Sequence, residues 1–402
     1  MTAQVAILNL SGIAVASDTF VTSFTGGESK SMGNTEKIYQ LGTQHKVVVL
    51  HSGSIGINDI PHKLHIGEWA RTLSLPLPTL QAYADSYRTW AASEKRMLEP
   101  GSETKTVNIT LNEQYYEIAR ELDSARDALK FEDGTTDRKK KVAIKAAFLK
   151  VISDYSNYLD SLESYGGITE KSLIKFLADN QVDIEGKLNY IFSRFDLGEE
   201  EIQKLSSLAI TTLLKIQPMA EDSELAFVGF GEEEPFGGVV RMTCRGIYAG
   251  NLIASTQEKF KVLPNNSASG ISYFAQRDAM YGFINGYNTV IVNELKGLIE
   301  QKIEQQWGDT TDEPIGWQLA NQIETDLQEF ARKTFVSPML TTIEAMGLNS
   351  LAALADSLVG LQAMRTYSQP GTATVGGLIE VATIDRINGV QWKRRLPNSS
   401  VD

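Results

Sequence analysis

Apolar and β-branched residues open the chain in two short runs, 3–10 and 13–19, with the Ser11-Gly12 pair between them. That pattern predicts an antiparallel hairpin. A hairpin of this length returns Asp18, at the far end of its second strand, to the first residues of the chain. A Gly/Ser-rich turn follows (Gly26, Gly27, Ser29, Ser31, Gly33), then a short run through Lys37-Ile38, and an apolar strand from 46 that ends at Gly53-Ser54. From 60 to 216 the pattern becomes helical. Leu122, Ala125 and Leu129, then Val142, Ala146, Phe148, Leu149 and Ile152, recur mostly three and four apart on either side of Asp133-Gly134. Further helices are predicted over 171–178, 184–195 and 199–215. Residues 226–231 and 237–242 read as a hairpin. Beyond it, residues 270–287 are predicted as a helix rich in aromatics (Tyr273, Phe274, Tyr281, Phe283). Leu295, Leu298, Ile299, Ile303 and Trp307 then form an apolar stripe on a long helix. The acidic turn 309–314 separates it from a helix over 316–335, a strong helix is predicted over 351–359, and the polar tail 394–402 is expected to fray.

Composition adds exclusions. The 402 residues carry 42% hydrophobic and 22% charged residues, enough apolar content for a large core. A net charge of −12 argues against a nucleic-acid partner, because phosphates would be repelled. No apolar run reaches the roughly 18 residues that span a bilayer, so no membrane role is expected. The single cysteine, Cys244, lies in a predicted strand, reads as structural, and points to a reducing, cytoplasmic setting. All four histidines (His45, His51, His62, His65) fall in one short span. His62 and His65 could share a helical face, but no cysteine or carboxylate pair completes a usual metal site, so none is expected. Arg138-Lys139-Lys140-Lys141 reads as a solvated helix start, with an acidic partner as the alternative. No Gly-x-Ser-x-Gly elbow or phosphate-cradling loop is present, and no cofactor is expected.

The chemistry lies at the start. No charged or strongly hydrophobic export region precedes the first strand, so a signal peptide is not expected. Initiator methionine is normally trimmed before threonine, which would leave Thr2 with a free α-amine and a β-hydroxyl. An α-amine titrates at about 7.7–8.0, so it can take the proton of its own hydroxyl and make a nucleophile without histidine.

Thr2, Asp18, the Lys37-Ile38 strand and the Gly53 that ends the next strand together resemble the proteasome β-subunit family of N-terminal nucleophile hydrolases. The 226–242 hairpin, the 351–359 helix, the Gly376-Gly377 turn and a final hairpin through Gln391-Trp392 extend the likeness to about half the chain: residues 2–60, 224–290 and 338–393. The resemblance implies an α+β fold, the four-layer αββα sandwich of antiparallel sheets with two helical insertions. Its parts would be 1–60, the first part of the core; 61–222, core helices plus an inserted helical subdomain; 223–290, the second part of the core; 291–337, a second helical insertion; and 338–402, the last helix, final hairpin and tail. It implies that Thr2 is the nucleophile and its own amine the base. Lys37 would lower the hydroxyl's pKa, Asp18 would hold the lysine, and the Gly53 N–H would stabilise the oxyanion. Backbone around Thr22 would pair with an extended substrate, and His51 could line the specificity pocket or be an ordinary strand histidine. The substrate would be a peptide or protein, the assembly a homo-oligomer, and any unfoldase partner is left open.

The chain departs from the family at three places. Thr372 and Val375 stand where the family has an Asp and a Ser, Phe20 replaces a common arginine, and only Asn266-Ser267-Ala268-Ser269-Gly270 offers a candidate for the mid-chain Ser-Gly-Ser. A non-peptide amidase and a catalytically silent scaffold or interaction protein therefore stand beside the threonine-peptidase reading.

Overall fold

The computed structural model describes residues 2–25, 28–132, 135–220, 222–307 and 315–397. Met1, the Gly26-Gly27 pair, the Asp133-Gly134 turn, the acidic turn 309–314 and the tail from 398 lie outside the described residues. The strands are β1 Ala3–Asn9, β2 Gly12–Ser17, β3 Phe20–Thr25, β4 Glu28–Asn34, β5 Ile38–Gln40, β6 Val47–Gly53, β7 Gly56–Ile57, β8 Ile60–Pro61, β9 Ser223–Gly229, β10 Gly238–Tyr248, β11 Asn251–Lys261, β12 Ser269–Ala275, β13 Glu380–Asp385 and β14 Gly389–Arg394. The α-helices are α1 His62–Thr72, α2 Leu80–Ser93, α3 Ser102–Ala128, α4 Asp137–Ser161, α5 Glu170–Asp179, α6 Ile184–Phe192, α7 Glu199–Leu214, α8 Asp278–Asn285, α9 Thr289–Trp307, α10 Ile315–Ala331, α11 Ser337–Glu344 and α12 Leu348–Tyr367. The protein is mixed α/β with antiparallel sheets.

Two five-stranded sheets carry the fold, in the orders β12-β1-β2-β13-β14 and β11-β10-β9-β6-β5. Strand β1 is buried along its whole length, and its two faces go to different cores. Side chains alternate across a strand. Ala6 and Leu8, with Ile13 and Val15 of β2, meet Val48, Leu50, Ala226 and Val228 of the second sheet. Ala3, Val5 and Ile7 turn the other way, onto Met280 of α8 and Leu351, Ala355 and Leu358 of α12. The second sheet's outer face, through Val47, Val49, Leu225 and Phe227, packs on Trp69 of α1 and Tyr83 and Tyr87 of α2. Helices α3 to α7 gather around a core of their own that reaches the sheet at Tyr248 and Ile253.

The expected helix over 270–287 is corrected. Residues Ser269–Ala275 are a strand, paired with β1 from Asn9↔Ser269 to Ala3↔Ala275, and the helix begins only at Asp278. Ser272 and Phe274 are buried while Ile271, Tyr273 and Ala275 are half-buried, a period of two hidden among aromatic residues that also suit a helix. The expected hairpin at 226–242 is part of a longer meander, since β10 continues to Tyr248 and returns as β11.

Candidate active site

Strand β1 and the end of β2 bring the first residues and Asp18 together. Asp18 donates its amide to the Ala3 carbonyl (3.1 Å) and accepts the Ala3 N–H on Oδ1 (2.9 Å). The same oxygen accepts from the Lys37 ammonium at 2.9 Å. The peptide after Thr2 and the lysine thus share one carboxylate oxygen. Lys37 also donates to the Phe20 carbonyl at 2.7 Å, and the Gly376 N–H donates to Asp18 Oδ2 at 3.2 Å. Thr2, Asp18 and Lys37 are 6%, 0% and 3% exposed, so the cluster is enclosed in protein. Burial holds the Lys37 pKa below its ordinary value, and the Asp18 and Glu380 carboxylates oppose that fall.

Backbone hydrogen bonds from a distant turn complete the surroundings of Asp18. Gly376 also accepts the Thr19 and Phe20 amides on its carbonyl (3.1 and 3.2 Å), so the Gly376-Gly377 turn is docked on the Asp18 loop. A Cβ at Gly377 would fall 2.3 Å from Asn34 Oδ1 and 2.6 Å from Thr19 Oγ1, which explains why this turn needs glycine. Thr372 is exposed and Val375 is fully buried among apolar neighbours, so neither residue brings an acid or serine to the cluster. Phe20 packs edge-on against Tyr367 at 6.4 Å and contributes backbone groups alone, its carbonyl to Lys37 and its amide to Gly376. The candidate run 266–270 sits at the far end of β12, where Ser269 faces Asn9. Next to Thr2 instead is Gln276, whose amide donates to the Thr2 carbonyl at 2.8 Å and whose side chain accepts from the Thr374 hydroxyl at 3.0 Å.

Gly53 ends β6 with φ +85°, and a Cβ there would lie 2.3 Å from the Asp222 carbonyl. Thr22 lies on β3 beside a bulge and pairs with Ser31; among the described residues β3 pairs with β4 alone. His51 is buried, stacked on Tyr39 (5.5 Å between ring centres) and tilted against His62 (4.8 Å). Burial, His62 and the Lys37 charge hold its pKa well below the ordinary histidine range. His62 meets the Ser223 hydroxyl at 3.0 Å and His65 the Tyr87 hydroxyl at 2.7 Å, so each spends a ring nitrogen on a neighbour. Among the described residues no group of three His, Cys, Asp or Glu side chains could hold a metal ion.

Two residues were missed by sequence reasoning. Gln4, 1% exposed, donates from Nε2 to the His51 carbonyl (2.9 Å), the Ser17 hydroxyl (3.1 Å) and the Lys37 carbonyl (3.3 Å). It bridges the two sheets beside Lys37. Its signal was available: a buried amide among apolar residues, on the same strand face as Ala6 and Leu8. Glu380, fully buried, accepts the Lys37 and Leu396 amides at 3.3 Å each. Burial raises its pKa, and these two amides oppose the rise.

No protein-family model matches the chain, and no curated protein matches it. Among solved structures it is similar to the Anbu (Gly-1) mutant from Hyphomicrobium sp. strain MC1, over 98% of this chain and 85% of that one. That similarity has 11% identity and a TM-score of 0.28. Among the described residues no helix is long and apolar enough to cross a membrane.

Proposed function

We propose that this chain is a threonine-type amide hydrolase of the proteasome-like N-terminal nucleophile class, acting on peptides and built on the αββα sandwich. The observation that carries the reading is the single Asp18 oxygen shared by the Ala3 N–H and the Lys37 ammonium. With Thr2 at the amino terminus, its hydroxyl attacks the substrate carbonyl and its α-amine takes the proton. Lys37 supplies positive potential beside the forming alkoxide, and Asp18 keeps the ammonium in place. The Gly53 N–H receives the oxyanion. Collapse of the tetrahedral adduct passes the proton to the leaving amine and leaves a threonyl ester, which water hydrolyses by the same route. In this reading the backbone at Thr22 pairs with an extended substrate and His51 lines the specificity pocket. A homo-oligomer in the cytoplasm belongs to this reading.

A catalytically silent scaffold is the second reading, favoured by the exposed Thr372 and the apolar, buried Val375. A non-peptide amidase is favoured by the enclosure of Thr2. Intact-mass analysis and labelling with a β-lactone or peptide epoxyketone separate these readings. The hydrolase reading expects a chain that starts at Thr2, one adduct on Thr2, and none in Thr2→Ala or Lys37→Ala. A retained Met1, or labelling that survives Thr2→Ala, overturns it. Hydrolysis of small amides with no cleavage of peptides would select the amidase.

A further inference from the structure

The hairpin of α9 and α10 leaves one apolar face open. Lys296 of α9 donates to Asn321 (2.8 Å) and pairs with Glu324 (2.6 Å) of α10, and Gly316 approaches Glu300. These contacts fix an antiparallel register that sets Leu298 level with Leu319 and Leu295 level with Ile323. Val292, Ala320 and Ala331 are buried. The residues beside them are not: Ile291, Leu295, Leu298, Leu319, Ile323 and Phe330 are 43–60% exposed.

At 100° per residue, Ile291, Leu295 and Leu298 fall within about 60° of one another, and Leu319, Ile323 and Phe330 within about 40°. Each sector borders its helix's buried side. In a right-handed antiparallel pair the two sectors turn to the same side, so they form one continuous face. Half-open side chains of this size leave on the order of 500 Å² of apolar surface, the upper end of what a monomer carries without a partner. With its polar rim it approaches the roughly 800 Å² that each partner gives to a standard interface.

Charge says what covers it. Lys302 continues the α9 stripe toward the far end of the hairpin, while Glu294 and Asp326 flank the face near the base. All three are exposed. Glu294 and Lys302 make no ion pair among the described residues, and Asp326 only accepts from Gln322. A two-fold, antiparallel packing of one hairpin on another lays each Lys302 on the other copy's acidic base. We infer that this face is an isologous interface with a second copy of this chain, closing two hairpins into a four-helix bundle. The inference is independent of the catalytic reading.

Sedimentation velocity and light scattering on the full chain, from about 1 to 100 µM, test it. The wild type is expected as an assembly whose mass halves in Leu295→Glu. Lys302→Glu and Asp326→Lys should each weaken association at least tenfold, and the double variant should restore it, which a folding defect would not do. The only native cysteine, Cys244, is buried, so cross-linking gives a direct geometric readout. Lys302→Cys mixed with Asp326→Cys should form a disulfide-linked pair under mild oxidation, while either alone should not. A wild type that stays monomeric throughout, or whose mass is unchanged in all three variants, overturns the inference, including the case in which the face binds a different protein.

Discussion

Replacing Asp18 by asparagine keeps the shape of the side chain and removes its charge. The Lys37 ammonium, 2.9 Å away and 3% exposed, then loses its charged hydrogen-bond partner and keeps the Phe20 carbonyl and the Glu380 field. Breaking a buried pair by removing one partner costs about 3–5 kcal/mol. Glu380 still attracts the ammonium, which sets the expectation near the lower end, about 3 kcal/mol. A chain of 402 residues has an unfolding entropy of about 0.8 kcal/mol/K, so the midpoint should fall by about 4 °C. The loss should also depend on pH. The Lys37 pKa is already depressed on folding, so between that value and the ordinary one near 10.5 the unfolded chain holds more protons and stability rises with pH. Without Asp18 the folded value drops further and the window widens at its lower end. The deficit should therefore be largest where Lys37 is protonated in both folded proteins and shrink as pH rises through the depressed value, read by calorimetry on both proteins. Asp18→Asn/Lys37→Met should recover most of the loss, because the ammonium is no longer left buried without Asp18. A deficit under about 1 kcal/mol, or one that does not change with pH, would refute the claim that these two residues form a single buried electrostatic unit.

Gly53→Ala should cost at least about 1–3 kcal/mol, since φ is +85° and the new methyl meets the Asp222 carbonyl; thermal unfolding measures the loss, and epoxyketone labelling of Thr2 should vanish with it. Gln4→Leu leaves the His51 carbonyl without its donor and should destabilise by about 1–3 kcal/mol. Slower labelling at Thr2, with the folded far-ultraviolet spectrum retained, would place Gln4 as a positioning residue, and an unchanged rate would remove it from the site. Cys244 is fully buried, and its thiol is pushed well above the ordinary range by that burial. Ellman's reagent at pH 8 should therefore see no thiol until denaturant is added, and stoichiometric reaction in the native protein would contradict the packing between β10 and α2.

The opening strands were legible because one short hairpin fixes its own geometry: residues 3–17 alternate around a turn, and nothing distant is needed to bring Asp18 back to Ala3. Lys37 was legible only through the family resemblance, since its approach to Asp18 depends on β5 joining the other sheet. The run 269–275 was misread because Tyr and Phe at mixed spacing satisfy both periods, and the edge of β1 decided between them. What the sequence hid most completely is the backbone. The Gly376 N–H on Asp18 and the Lys37 N–H on Glu380 involve groups every residue possesses, so no residue type announces them. Gln4 is the opposite case, a polar letter at a core position whose meaning needed only the question of where its amide could go.

The bond from Gly376 to Asp18 joins residues 358 positions apart. A chain still emerging from the ribosome has the first hairpin and Lys37 long before it has that glycine turn. Until the turn arrives, Asp18 lacks one of its three anchors and the Thr19-Phe20 amides have no acceptor there. The cluster is therefore completed only after the Gly376 turn has been made. Synthesis itself delays the closing of the cluster, and an incomplete polypeptide holds its first members without the contact that locks them.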